Sequence, residues 1–340
     1  MKRGIRSILL MACLLILLCL PMAVKMPYML HICIFSFYMG SASLAWSVLG
    51  GLTGQTSLGH AAFMGLGAYM TTILITKAGI SPWVGMVLVF FAIGLMAVIM
   101  FYPCFILRGP YFTLVTIAFG ETFRNLFTNW GFVGKGQGLL LPGGKNSLAL
   151  MRFTSSKVPY YYLALVMFLL CYLAVVLLNR SKLGYALKTV REDEDTANAI
   201  GISPMKYKLI AAFISAGMMA VCGTFYANYY RYIEPDIMMN TYSVEFVLPA
   251  VIGGIGNVSG PVLGALILTP LSEYLRANLS SIIPGANLLI YAVILIVVIR
   301  FQPKGILGWY ETSNLKKKID KALDAVDRKL FGGEKSVKSS

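Results

Sequence analysis

Residues 82–107 read Pro-Trp-Val-Gly-Met-Val-Leu-Val-Phe-Phe-Ala-Ile-Gly-Leu-Met-Ala-Val-Ile-Met-Phe-Tyr-Pro-Cys-Phe-Ile-Leu, with no charge until Arg108. A helix needs about 20 mostly apolar residues to cross a hydrocarbon core of about 30 Å, and this run is long enough. Comparable runs lie at 7–24, 28–49, 60–77, 111–129, 159–179, 208–230, 242–258, 260–280 and 285–301, ten spans in all. The runs at 111–129, 242–258 and 260–280 are the weakest, because they hold charges or glycine clusters. Composition agrees with this reading. The 340 residues are 58% apolar and 13% charged, against about 25% charged in soluble domains. Soluble, disordered, collagenous, disulfide-stapled and nucleic-acid-binding classes are excluded, and the expected fold is an all-α polytopic membrane protein.

Charge sets the expected orientation. The formal net charge is +15, with the base concentrated at both ends and in one internal loop. With both termini in the cytoplasm, inside segments carry twenty Lys and Arg and outside segments seven, as the positive-inside rule favours. Loop 130–158 resists, since it holds Lys135, Lys145, Arg152 and Lys157 without an acid and must lie outside. Long loops follow the rule weakly. Met1 to Arg6 followed by apolar Ile8 to Val24 resembles a signal peptide, but no small-x-small cleavage site follows, so an uncleaved first span is expected.

No catalytic signature is present. Gly144-Lys145-Asn146 fails the phosphate-loop pattern, and neither Gly-x-Ser-x-Gly nor His-Glu-x-x-His occurs. The six cysteines lie in apolar runs without Cys-x-x-Cys spacing and read as small hydrophobes. His31 and His60 are too few for a metal site, and each is expected to be packed or hydrogen-bonded. The chain is expected to bind no cofactor or metal and to catalyse nothing itself; any ATP must be handled by another chain.

An internal echo stands out instead. Residues 51–59 read Gly-Leu-Thr-Gly-Gln-Thr-Ser-Leu-Gly and residues 253–261 read Gly-Gly-Ile-Gly-Asn-Val-Ser-Gly-Pro, both fitting Gly-x-x-Gly-(Gln/Asn)-x-Ser. Transporters often carry paired glycine-broken segments in corresponding halves, because unwound backbone in lipid needs protein or a water-filled cavity around it. Gly51, Gly54, Gln55, Ser57, Gly59 and His60, with Gly253, Gly254, Gly256, Asn257, Ser259 and Gly260, are therefore the pathway candidates, expected to converge near the bilayer midplane. Tight helix packing through small residues and plain turns between spans are the competing readings.

Two further segments lie outside the spans. Leu183, Leu187, Val190, Ala197 and Ile200 recur near helical spacing within 180–207, with Gly201 and Pro204 as the stop. Leu315, Ile319, Leu323, Val326 and Leu330 form a stripe in the tail, 311–340. Both read as cytoplasmic amphipathic helices beside a 1–310 transmembrane unit. Within the spans Glu121 and Arg124, and Glu273 and Arg276, sit at i,i+3, and Glu245 stands alone before Pro249. Such groups usually face protein or water; here each Glu–Arg pair is expected to neutralise itself.

Gly184-Tyr-Ala-Leu-Lys-Thr-Val-Arg-Glu-Asp-Glu, Ala199-Ile-Gly-Ile-Ser-Pro-Met-Lys-Tyr-Lys-Leu and Val251-Ile-Gly-Gly-Ile-Gly-Asn-Val-Ser-Gly-Pro-Val-Leu-Gly-Ala together resemble the permease subunit of branched-chain amino acid ABC importers. The stretches from Gly51 to Phe63 and from Phe119 to Arg124 are similar to that family too, so the resemblance covers roughly 40–302. It implies an inner-membrane heterodimer with a second permease subunit, two cytoplasmic ATPases that use the ATP, and an external substrate-binding protein. It also implies that Gly184, Arg191, Glu192, Asp193, Ala197, Gly201 and Ile202 engage the ATPase. Family relatives import urea, short amides or aromatic acids, and fold alone does not choose among solutes. The alternative is an ion-coupled secondary transporter or channel, which would place an unpaired carboxylate mid-span; only Glu245 qualifies.

Overall fold

The computed structural model describes residues 12, 15–22, 26–107, 109–144, 146–153, 156–279, 293, 296, 300 and 305–312. They form helices α1 (Pro27–Thr53), α2 (His60–Ala78), α3 (Pro82–Cys104), α4 (Pro110–Asn129), α5 (Val158–Arg180), α6 (Lys182–Glu192), α7 (Glu194–Ala199), α8 (Pro204–Tyr230), α9 (Asn240–Gly253), α10 (Ser259–Leu279) and α11 (Gly305–Thr312). Proline occupies the first or second position of α1, α3, α4, α5 and α8, where its missing N–H costs nothing and its fixed φ suits a helix start. Left-handed Gly54 and Gly79 close α1 and α2.

Helices α1, α2, α3, α5 and α8 are long and apolar enough to cross a membrane, and the chain is a mainly helical, multi-pass membrane protein. Three further expected spans are helical as α4, α9 and α10, although α9 stops at Gly253 and leaves 254–258 as a turn. Of the first expected span, residue 12 and residues 15–22 are described, and they are helical. The span at 285–301, apart from 293, 296 and 300, and the tail stripe from Leu315 lie outside the described residues.

The class is not purely α. Leu139–Leu140 pairs antiparallel with Tyr232–Ile233, as strands β1 and β2. This pair, the 3₁₀ turns Gly131–Val133 and Lys135–Gln137, and a Ser147–Arg152 bridge fold loop 130–158 against the segment after α8. Arg231, left-handed at φ 62°, donates to the Pro142 carbonyl, and loss of solvent lowers its pKa.

Burial ranks the spans. The core window of α1 is 89% buried and that of α3 only 33%, so α1 is the central post while α3 presents Val87, Phe91 and Leu95 outward. Around α1 pack α5, α8, α9 and α10, and α8 also packs on α2 and α3. Helices α2 and α8 meet backbone to backbone: a Cβ on Gly223 would strike the Met64 carbonyl, and one on Gly67 would lie 2.6 Å from Ala220 Cα. Small residues allow such close approach where lipid gives no hydrophobic drive. Gly223→Leu is therefore expected to destabilise the protein by about 1–3 kcal/mol or more. Thermal unfolding in detergent checks this against outward-facing Val87→Ala, and equal stability of the two variants would refute the contact.

Among the cysteines, Cys104, Cys171 and Cys222 are buried as expected, whereas Cys19 is exposed. The helix supporting Cys19 presents that side chain on its outer face.

Candidate functional site

Two features gather the polar groups, one at each end of the bundle. The first is an elbow where the glycine turns meet α6 and α7. Arg191, in the last turn of α6, donates through Nη1 to the Gly51 carbonyl at 2.8 Å. A Cβ on Gly54 would lie 3.2 Å from Arg191 Cγ, and one on Gly256 would overlap the guanidinium. Gly54 at φ 73° and Gly256 at φ 91° also need the left-handed backbone that glycine adopts freely. A Cβ on Gly51 would come within 3.7 Å of Gly256 N. The echoed segments thus lie close together, with Arg191 against both. They do so at the end of the bundle that holds α6 and α7, where the span boundaries put both segments, rather than midway along it.

Beside Arg191, Gln55 Nε2 donates to Glu194 Oε1 at 3.2 Å, and Glu194 pairs with Lys208 of α8. Lys208 is only 1% exposed. A buried ammonium needs such a partner, because an unpaired charge in the interior is very costly. The rest of the first turn is fixed from α4: Leu58 N donates to Thr116 Oγ1 at 3.0 Å, Thr113 Oγ1 donates to the Thr56 carbonyl at 2.7 Å, and Gly59 lies against the Thr116 carbonyl. Ser57 and His60 are fully buried. Ser215 Oγ donates to the Ala45 carbonyl (2.7 Å) and so accepts from His60 Nε2 (2.8 Å), which leaves Nδ1 to accept from Ser57 Oγ (3.0 Å). Both ring nitrogens are satisfied, and His31 is likewise bonded to Tyr229 OH at 2.6 Å.

In the second turn Gly253 and Gly260 face each other at contact distance, Asn257 and Ser259 are half-buried, and Gly305 of α11 packs on Gly254. The segment after α5 is two helices rather than one. Asp193 is extended (φ −161°), and its carboxylate caps α7 by accepting from Thr196 N at 2.5 Å, so the apolar spacing breaks there. Gly184 sits tight under the Leu178 carbonyl, Ala197 is buried, and Ile202 N donates to the Ala197 carbonyl at 2.9 Å past left-handed Gly201. Glu192 is exposed, and Ile200, expected on the buried stripe, is 64% exposed.

The second feature is a cleft of about 410 Å³ at the opposite end, lined by α1, α4, α9 and α10. Arg124 Nε donates to Glu121 Oε2 at 2.9 Å and Nη1 to Asp236 Oδ1 at 3.2 Å, and Arg276 pairs with Glu273 at 3.4 Å. Each Glu–Arg pair does neutralise itself, yet both pairs open into one cleft with Glu245. Phe35, Met39, Val244 and Leu248 supply its apolar wall. Its size falls within the roughly 300–1,000 Å³ of small-molecule sites. Among the described residues no His, Cys, Asp and Glu group could hold a metal ion.

Residues 28–299 match the family described as branched-chain amino acid transport system / permease component. The chain belongs to this family. Relatives of this permease family include the high-affinity branched-chain amino acid transport system permease protein LivM of Escherichia coli K12, 27% identical over 290 residues. That match covers 78% of this chain and 66% of LivM, so the chain spans just under two thirds of its relative. A probable LivM of Methanocaldococcus jannaschii is 23% identical over 278 residues, covering 74% of this chain and 78% of its own. The LivH permease protein of Salmonella typhimurium is 30% identical over 148 residues, covering 42% and 46% of the two chains. No solved structure matches. Elbow and cleft both fall inside the part that matches the permease family.

Sequence reasoning placed Arg191 and the glycine turns in separate roles and missed Glu194, Lys208, Asp236 and Asn240. Lys208 did carry a signal: a lysine opening an apolar run needs a carboxylate, and Glu194 lies close by in the chain.

Proposed function

We propose that this chain is the non-catalytic permease subunit of an ATP-driven importer, moving branched-chain or related small amino acids across the bacterial inner membrane. The observation that carries this reading is Arg191, through which a short helix pair outside the spans grips both glycine turns. A joint of that kind transmits a push from outside the membrane to helices within it. In this reading the bundle has ten spans with both termini cytoplasmic, residues 1–310 form the transmembrane unit, and residues 311–340 form a cytoplasmic tail.

The elbow then lies inside and the cleft outside. Segment 180–207 docks on an ATPase through Glu192, exposed Tyr185 and exposed Ile200, on a rigid base set by Gly184, Ala197, Gly201 and Ile202. The glycine segments form the inner mouth of the pathway, closed here by the Arg191 guanidinium. Partners are a second permease subunit, two cytoplasmic ATPases that hold the ATP, and an external substrate-binding protein. That LivM and LivH are both permease proteins of branched-chain amino acid transport supports a paired arrangement.

One observation favours a second reading, an ion-coupled carrier: Glu245 makes no ion pair among the described residues. Proteoliposomes holding this chain, its partner permease and the ATPases decide between the two. Leucine uptake is expected only with internal ATP and external binding protein, and the chain alone is expected neither to bind nor to hydrolyse ATP. Uptake driven by an ion gradient without ATPases would overturn the importer reading.

A further inference from the structure

The cleft is charged unequally. Glu121, Glu245 and Glu273 face it with Arg124 and Arg276, and the two arginines are matched by Glu121 and Glu273. Asp236 adds a further acid to Arg124. Glu245 makes no ion pair among the described residues, although the Arg276 charge in the same cleft acts on it. Two other acceptors lie on the same helix. The Asn240 Oδ1 is shut off from solvent and has no hydrogen-bond partner among the described residues, and Asn240 lines the cleft. Pro249, four residues after Glu245 and inside α9, has no N–H to give the Glu245 carbonyl.

An acceptor left unpaired in such surroundings is costly, so this end of α9 is short of donors. A primary ammonium carries three donors and one positive charge and no acceptor. It supplies what this group of acceptors lacks.

We propose that the cleft is a binding site for the ammonium group of a free amino acid, received by Glu245, with Asn240 on the same wall. The apolar wall of Phe35, Met39, Val244 and Leu248 takes the side chain. Arg276, which is 57% exposed at its side chain, takes the carboxylate while keeping Glu273. This assignment rests on the importer reading and names the chemistry by which that importer holds its cargo.

The test uses the complete importer with a Ser272→Cys reporter in the cleft and a water-soluble maleimide. Leucine and isopentylamine, which both carry an ammonium, are expected to slow labelling at least fivefold, whereas 4-methylpentanoate, which lacks it, is not. Glu245→Gln in the reporter background is expected to abolish protection by leucine while the partner permease still co-purifies. Protection that survives Glu245→Gln, or equal protection by 4-methylpentanoate, overturns the proposal. Loss of the partner permease in Glu245→Gln also overturns it, because the cleft would then be a subunit interface. ATP-driven leucine uptake without protection leaves the importer standing and removes the site; protection without ATP-driven uptake does the reverse.

Discussion

Arg191→Ala is expected to leave the complex assembled and its ATPases active while cutting leucine transported per ATP by tenfold to a hundredfold. The guanidinium makes a charged hydrogen bond to the Gly51 carbonyl and fills the space over Gly256, while the aliphatic stem of the side chain covers Gly54. A hydrogen bond of that type contributes about 1.5–3 kcal/mol, and each 1.4 kcal/mol is roughly a factor of ten in an equilibrium. Alanine removes both the bond and the bulk, so α6 could shift without carrying either turn with it. Lysine is expected to rescue poorly, since an ammonium cannot present the planar fork that lies between the two turns. The measurement is the ratio of uptake to ATP hydrolysis at matched amounts of co-purified ATPase. An unchanged ratio would show that Arg191 is a bystander.

Glu194→Ala carries the largest expected loss of stability. It strips Lys208 of its carboxylate partner while leaving the ammonium 1% exposed. Breaking a buried pair from one side costs about 3–5 kcal/mol, because an uncompensated charge remains. Lys208→Met is expected to be milder, because the Glu194 side chain is 23% exposed and reaches water, and it keeps Gln55 as a donor. The double variant, Glu194→Ala with Lys208→Met, is expected to recover most of the loss. Thermal unfolding of the four proteins in detergent gives the cycle; additive losses would mean that the pair is not coupled.

What the sequence made legible follows from where each signal is stored. Span positions are local, so apolar length alone placed α1 to α5 and α8 to α10 within a few residues. The glycine echo is local too, and it marked both turns. What the turns hold is not local: Arg191 and Gly51 are 140 residues apart, and nothing in either stretch names the other. The same holds for Glu245, which looks isolated in sequence and joins a five-charge cleft, without an ion pair among the described residues, once α4, α9 and α10 meet. A break falls at Asp193, inside the apolar stripe of 180–207. Its cause, a side-chain cap on α7, became clear only from the backbone there. Strands β1 and β2 had no usable signal, since two residues of pairing leave no alternation to read.

Helices α1 and α9 each touch both features. On α1, Phe35 and Met39 line the cleft and Gly51 meets Arg191; on α9, Asn240 to Leu248 line the cleft and Gly253 opens the second turn. Twelve residues of helix separate Met39 from Gly51, about 18 Å at 1.5 Å per residue, and Ser43, Trp46 and Ser47, all buried, fill that stretch. A thermodynamic symmetry follows from the shared helices. If a protein docking on α6 and α7 changes the affinity of the cleft by some factor, a ligand in the cleft must change the affinity of that docking by the same factor. The amino acid would then be an effector of the motor as well as its cargo.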